Sequence, residues 1–205
     1  MVVNKARPSF LGAFLYIYGM KAICLNLDSR PDRWQLAQKE FKEQGLNVER
    51  FAAITNVDRF LSFNLSQQAI LQSITENTMV FEDDVKFVND KLSDVLTTAP
   101  KDWHILYLSG HTLQPLKHKQ YHWWRCKHTH TTHSVIYTPF AAKYILSKYD
   151  PYKSGIYDDF LLRKVQPVLN CYICKPFITT QRPGFSDLWQ TETDYGILHT
   201  QSKLL

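Results

Sequence analysis

Short apolar runs alternate with amphipathic, turn-bounded segments along most of this 205-residue chain, and that alternation constrains the fold more than any other feature. Ala22-Ile-Cys-Leu-Asn-Leu27 is apolar almost without a break, the pattern of a strand buried on both faces. Ser29, Pro31 and Asp32 then signal a helix start, with a capping residue, a proline in the first turn and an acid near the positive end. Trp34, Ala37 and Phe41 form its apolar stripe, and Gly45 is its expected stop. Val48-Glu-Arg-Phe-Ala-Ala-Ile54 predicts a second strand, and Ser66 is the expected cap of a helix carrying Ala69, Ile70 and Ile74. Further strands are expected before the acidic run at Glu82, over 104–108, over 134–137 and around Cys171. Pro139 opens a helix with Ala142, Ile145 and Leu146, and Asp158 opens another. The order β-α-β-α-β-β-β-α-α-β predicts an α/β fold, a mostly parallel mixed sheet flanked by helices. Residues 20–205 read as one domain.

Ahead of that domain, Lys5 and Arg7 precede the apolar run Phe10-Leu-Gly-Ala-Phe-Leu-Tyr-Ile-Tyr18. The run has the length of a signal-peptide core, but no small-x-small cleavage site follows and it is too short to span a bilayer. Residues 1–19 are read as an extension of unknown role, with Met20 an alternative start. The expected location is cytoplasmic, with room for peripheral contact at the inner membrane.

Three consecutive acids, Glu82-Asp83-Asp84, directly follow the apolar run Met79-Val80-Phe81. They fall at the C-terminal end of a buried strand, the edge at which open α/β sheets bind ligands. Adjacent carboxylates repel one another, and a divalent cation relieves that repulsion while also holding substrate phosphates. The competing reading is a solvated acidic turn. A net charge of +5 suits an anionic partner such as a nucleotide, a phosphorylated glycan or nucleic acid, without choosing among them.

Cys171-Tyr-Ile-Cys174 has the spacing of a zinc ligand pair, and Cys126 lies near His128, His130 and His133. The pair sits in an expected strand, however, and residues three apart on a strand point to opposite faces, which spoils joint ligation. Residues 111–133 hold six histidines together with Trp123, Trp124 and Arg125, and read as a surface loop. Aromatic faces stack on sugar rings or bases, so these three residues are candidate acceptor contacts.

In their order, these pieces resemble glycosyltransferase family 25, which includes lipooligosaccharide and collagen galactosyltransferases. The resemblance spans roughly residues 21–188. It rests on Ile23-Cys-Leu-Asn-Leu-Asp-Ser-Arg-Pro-Asp-Arg33, Phe51-Ala-Ala-Ile54, Val80-Phe-Glu-Asp-Asp-Val85 and Asp102-Trp103 with Leu106-Tyr-Leu108. His133-Ser-Val-Ile-Tyr-Thr-Pro139, Tyr157-Asp-Asp-Phe-Leu161 and Gln181-Arg-Pro-Gly-Phe-Ser-Asp-Leu188 complete it. The chain departs from the family at Thr55-Asn56, where the family has Asp-Gly, and at Ser66-Gln67, where it has Ser-His.

The resemblance implies a GT-A-type, Rossmann-like domain and inverting transfer of a hexose from a nucleotide sugar to a hydroxyl acceptor. It implies donor contacts at Leu25, Asn26, Arg30, Arg33, Glu82, Asp83, Ser186 and Asp187. It further implies a metal, Mn2+ or Mg2+, at Asp84 with Glu82 and His199, and a general base at Asp159 or Asp158. The acceptor expected from the family is a surface glycan such as lipooligosaccharide. Hydroxymethylated bases of phage DNA are an alternative acceptor. A metal-dependent nuclease using the same acids and a non-catalytic carbohydrate-binding module stand as readings of another class.

Overall fold

The computed structural model describes residues 20–88 and 92–194. The first apolar run forms β1 (Lys21–Asn26), and α1 (Pro31–Glu43) follows it. Arg30, not Ser29, occupies the N-cap position of α1, and it makes no capping hydrogen bond with its side chain. Gly45 lies just past the helix in the left-handed region (φ 68°), a conformation that costs glycine nothing. β2 (Glu49–Ala52) precedes α2 (Arg59–Gln72). Asp58 caps α2, accepting from the backbone N–H groups of Phe60 and Leu61, while Ser66 lies inside the helix. The Ser66 hydroxyl donates to Ser62 O and accepts from Ile54 N, tying the helix to the chain leaving β2.

β3 (Thr78–Glu82), β4 (Val85–Phe87) and α3 (Leu92–Leu96) come next, followed by β5 (Ile105–Tyr107). The histidine-rich stretch is not a loop but a set of strands. β6 (His111–Thr112) pairs with β9 (Thr129–His130), and β7 (Lys117–Gln120) pairs with β8 (Trp123–Arg125). β10 (Ser134–Tyr137) leads to α4 (Pro139–Leu146), capped by the Thr138 hydroxyl. α5 (Tyr157–Phe160) runs into a π-turn over Leu161–Val165, and β11 (Cys171–Cys174) follows. The described chain closes with β12 (Thr179–Gln181), β13 (Gly184–Ser186) and β14 (Thr191–Thr193).

Eight strands join in one mixed sheet, in the order β2-β1-β3-β10-β5-β11-β8-β7. β1 lies parallel to β2 and β3, and β5 lies parallel to β11. β10 is inserted antiparallel between β3 and β5, and β8 is antiparallel to both β11 and β7. Most strands therefore share a direction, as expected, yet more of the pairings are antiparallel than parallel. Inserting β10 separates two halves of the sheet that the linear pattern runs together.

Both faces are covered. Ile23, Val80, Ile105, Val135 and Ile173 pack against Ile70 and Leu71 of α2, Ala141 and Ile145 of α4, and Val165 of the π-turn. Their neighbours Cys24, Met79, Phe81, Leu106 and Ile136 pack on the other face against Ala37 and Phe41 of α1 and Leu92 and Leu96 of α3. Burial on two sides is why these strands read as continuous apolar runs. Cys171 and Cys174 fall in opposite layers, as strand alternation requires. No described helix is long and apolar enough to cross a membrane. The expected extension over 1–19, and His199, lie outside the described residues.

Candidate active site

The C-terminal ends of β1 and β3 open into a cavity of about 630 Å³. Leu25, Asn26, Arg33, Glu82, Asp83, Asp84, Asp158, Asp159, Ser186 and Asp187 all line it, so most of the residues singled out in the sequence converge on one space. Arg30 does not line it. It stands behind the wall, where its guanidinium pairs with Asp187 and Asp32.

Asn26 ends β1, and its side chain organises the first wall. Its Nδ2 donates to Asp83 Oδ2 at 2.7 Å and to Arg30 O at 2.9 Å, while its Oδ1 accepts from Arg50 Nε at 2.7 Å. Arg33, on the first turn of α1, places one guanidinium between three acids. The separations are 3.0 Å to Asp83, 3.6 Å to Asp84 and 3.7 Å to Asp187. Arg182 N donates to Asp84 O, and Gln181 Nε2 donates to Asp84 Oδ2 at 3.2 Å, so β12 fixes the turn that carries the acids. Asp84 Oδ1 is buried and has no hydrogen-bond partner.

Burial dominates the electrostatics. It raises the Asp84 carboxyl to about 6 in spite of Arg33, and it also raises Asp83, where Arg33 and Asn26 oppose the shift. Glu82 is pushed up by burial and then by the nearby charges of Asp84 and Asp158. Between Glu82 and Asp158 stands Thr132, whose Oγ1 lies 3.0 Å from Glu82 Oε1 and 2.8 Å from Asp158 Oδ1. A hydroxyl carries one proton, so only one contact uses it. A proton on one of the two carboxyls completes the other. Asp158 also accepts from Thr131 N, which leaves it engaged on both oxygens. Asp159 is more open and faces His130, with Nδ1 3.5 Å from Oδ1.

The remaining wall is apolar and aromatic. Trp189 is 54% exposed and meets Phe60 edge-on, with ring centroids 5.1 Å apart. Its backbone N–H donates to Ser186 Oγ, and Arg59 Nε donates to the adjoining Leu188 carbonyl. The turn presenting this indole is therefore held at both ends. Phe63 and Ile54 continue the wall.

Sequence reasoning misplaced one group. Trp123 is fully buried in the core and donates its indole N–H to Val95 O. Trp124 packs edge-on to His118, and Arg125 donates to Asn170 Oδ1 and Leu169 O. All three belong to β8, near the far edge of the sheet, and none lines the cavity. A Trp-Trp-Arg run in a polar stretch looks like an exposed contact because its partners, α3 and β11, are distant in sequence.

Other residues were missed. His130, Thr132 and Trp189 line the cavity, and of these only His130 carried any signal, as one of six clustered histidines. Gln181 was visible only as the first residue of a longer motif.

The donor set suits a hard cation in chemistry, being carboxylate oxygens with one oxygen of Asp84 unpartnered. Asp83 is taken up by Asn26 and Arg33, and Glu82 by Thr132. Among the described residues no three acids, histidines or cysteines converge as a ready-made metal site.

The fold and cavity define an α/β protein with a polar site at the strand ends. No protein-family model and no curated protein matches the chain. Among solved structures, A197 from STIV is similar over 86% of this chain and 96% of its own, with a TM-score of 0.51 at 8% identity. At that identity the similarity shows the fold alone.

Proposed function

We propose that the chain is an inverting hexosyltransferase of GT-A type that moves a sugar from a nucleotide donor, a UDP-sugar, to a hydroxyl acceptor. One observation carries the reading. Asp83 and Asp84, cross-braced by Arg33, face Asp159 across a single cavity that has an aromatic wall.

The donor lies along the β1 and β3 ends, its diphosphate towards Arg33 and its rings towards Trp189. Asp84, through its unpartnered oxygen and with Glu82 beside it, would hold a manganese or magnesium ion, which would supply positive charge next to the leaving phosphates. Arg33 meets the same charge from the protein side. The acceptor oxygen attacks the anomeric carbon on the face opposite the diphosphate. As that C–O bond forms, the bond to phosphate breaks and its electron pair leaves with the nucleoside diphosphate. Asp159 takes the acceptor's hydroxyl proton, as general base. Its more open carboxyl favours it over Asp158, whose oxygens are held by Thr131 and Thr132. His130 orients Asp159.

Thermal melts with UDP-glucose, UDP-galactose and other nucleotide sugars, each with and without Mn2+, test the reading. A metal-dependent rise with one donor, lost in Asp84→Ala, is expected. No rise with any nucleotide sugar would overturn it and direct attention to phosphoryl transfer or to a non-catalytic binding role.

A further inference from the structure

A second cavity, of about 580 Å³, opens beside the first. Its wall is cationic, with Lys148 just past α4, Lys153 from the following turn, and Arg163 and Lys164 from the π-turn. Lys153 pairs loosely with Asp150 at 3.7 Å. Lys148, Arg163 and Lys164 make no ion pair with any described acid, and all three are exposed. The π-turn is closed by the bond from Gln166 N to Leu161 O, and such widened turns recur at functional sites. It keeps Leu162 and Val165 in the core while Arg163 and Lys164 face outward.

Asp159 lines both cavities. The first has room and polar partners for a nucleotide sugar, and Asp159 is the residue it shares with the cationic cavity.

We propose that this second cavity anchors the acceptor, and that the acceptor is a saccharide bearing phosphate. Its hydroxyl reaches Asp159 while its phosphate pairs with Lys148, Arg163 and Lys164. The inference rests on the transferase reading and narrows its substrate class. Phosphate fits because a guanidinium and ammonium groups converge without competing acids other than Asp159 itself. A nucleic acid fits less well. The cations gather in one pocket rather than along a stripe, and among the described residues the rings that line it are the buried Phe160 and the half-buried Tyr144.

Glucose 6-phosphate and glucose serve as probes, titrated into the full chain by ligand-observed NMR, with UDP titrated in parallel in the presence of Mg2+. Glucose 6-phosphate is expected to bind at least about tenfold more tightly than glucose and to weaken steeply between 50 and 200 mM salt. Arg163→Glu with Lys164→Glu should abolish that preference and leave UDP affinity unchanged. Arg163→Gln with Lys164→Gln, a gentler change at the same exposed positions, should reduce it in proportion. UDP binding with no preference for the phosphosugar would overturn this inference and leave the transferase reading standing. Phosphosugar binding without UDP binding would overturn both the transferase reading and the acceptor role. A single-stranded oligonucleotide that binds more tightly than the phosphosugar, and loses affinity in the same variants, would overturn the saccharide assignment.

Discussion

Asp84→Asn should stabilise the protein at neutral pH. In the folded chain the Asp84 carboxyl is raised to about 6 by burial, against 3.8 in an unexceptional setting. The folded state therefore holds more protons than the unfolded state between about pH 4 and 6. Stability falls as pH rises through that window, and the deficit is complete above it. The rise from 3.8 to about 6 corresponds to roughly 3 kcal/mol. Arg33's attraction is already contained in the value of about 6, so losing that attraction adds no separate penalty. The neutral amide keeps an oxygen for Gln181 Nε2 and cannot ionise. At pH 8 the variant should be more stable by up to about 3 kcal/mol, or some 6–12 °C in Tm for a chain of this size. At pH 4 the difference should nearly vanish. Urea melts of both proteins at pH 4, 6 and 8 would measure it. A variant no more stable than wild type at pH 8, or an unchanged pH slope, would refute the claim that the site stores electrostatic cost in this carboxylate.

His133 should act with the opposite sign. Burial holds its imidazole down to about 3, so the unfolded chain binds the extra proton, and stability should fall by about 1.4 kcal/mol per unit as pH drops below 6.5. His133→Gln should flatten that slope in the same urea melts. Trp123→Ala should cost about 3–5 kcal/mol in denaturant melts, because a fully buried indole leaves a cavity, yet should leave UDP affinity unchanged. Trp189→Ala should weaken UDP-galactose by about tenfold in calorimetry with little loss of stability, while Trp189→Phe preserves binding. Gly110→Ala should destabilise by about 1–3 kcal/mol in thermal melts. Its new Cβ would meet Thr129 Cγ2 at 2.5 Å and the carbonyl oxygen of His130 at 3.0 Å, disturbing the strand that carries His130 to the cavity.

The layered α/β plan and the acidic strand end were legible in the sequence because their causes are local. Ile23 and Cys24 are adjacent, both apolar and packed on opposite faces, which no half-exposed strand permits. Pro139 after Thr138 marks a helix start by the chemistry of two neighbouring residues. Glu82-Asp83-Asp84 after an apolar run places the acids at a strand end whatever the rest of the chain does. Ser66 was misread because its hydroxyl suits a cap, while the true cap, Asp58, precedes a helix whose first turn carries no other cue.

What only the tertiary structure decided are relations between distant segments. β10 enters the sheet antiparallel between β3 and β5, and no local signal encodes that neighbour choice. Trp123 becomes core because α3 covers it, and Trp189 becomes a cavity wall because Phe60 backs it across more than a hundred residues. The bridge Glu82–Thr132–Asp158 joins three segments whose spacing carries no common period. Periodicity and capping are properties of a few consecutive residues, so the sequence displays them. Burial, charge coupling and the meeting of two cavities at Asp159 depend on which surfaces the folded chain brings together, and these exist only once it has folded.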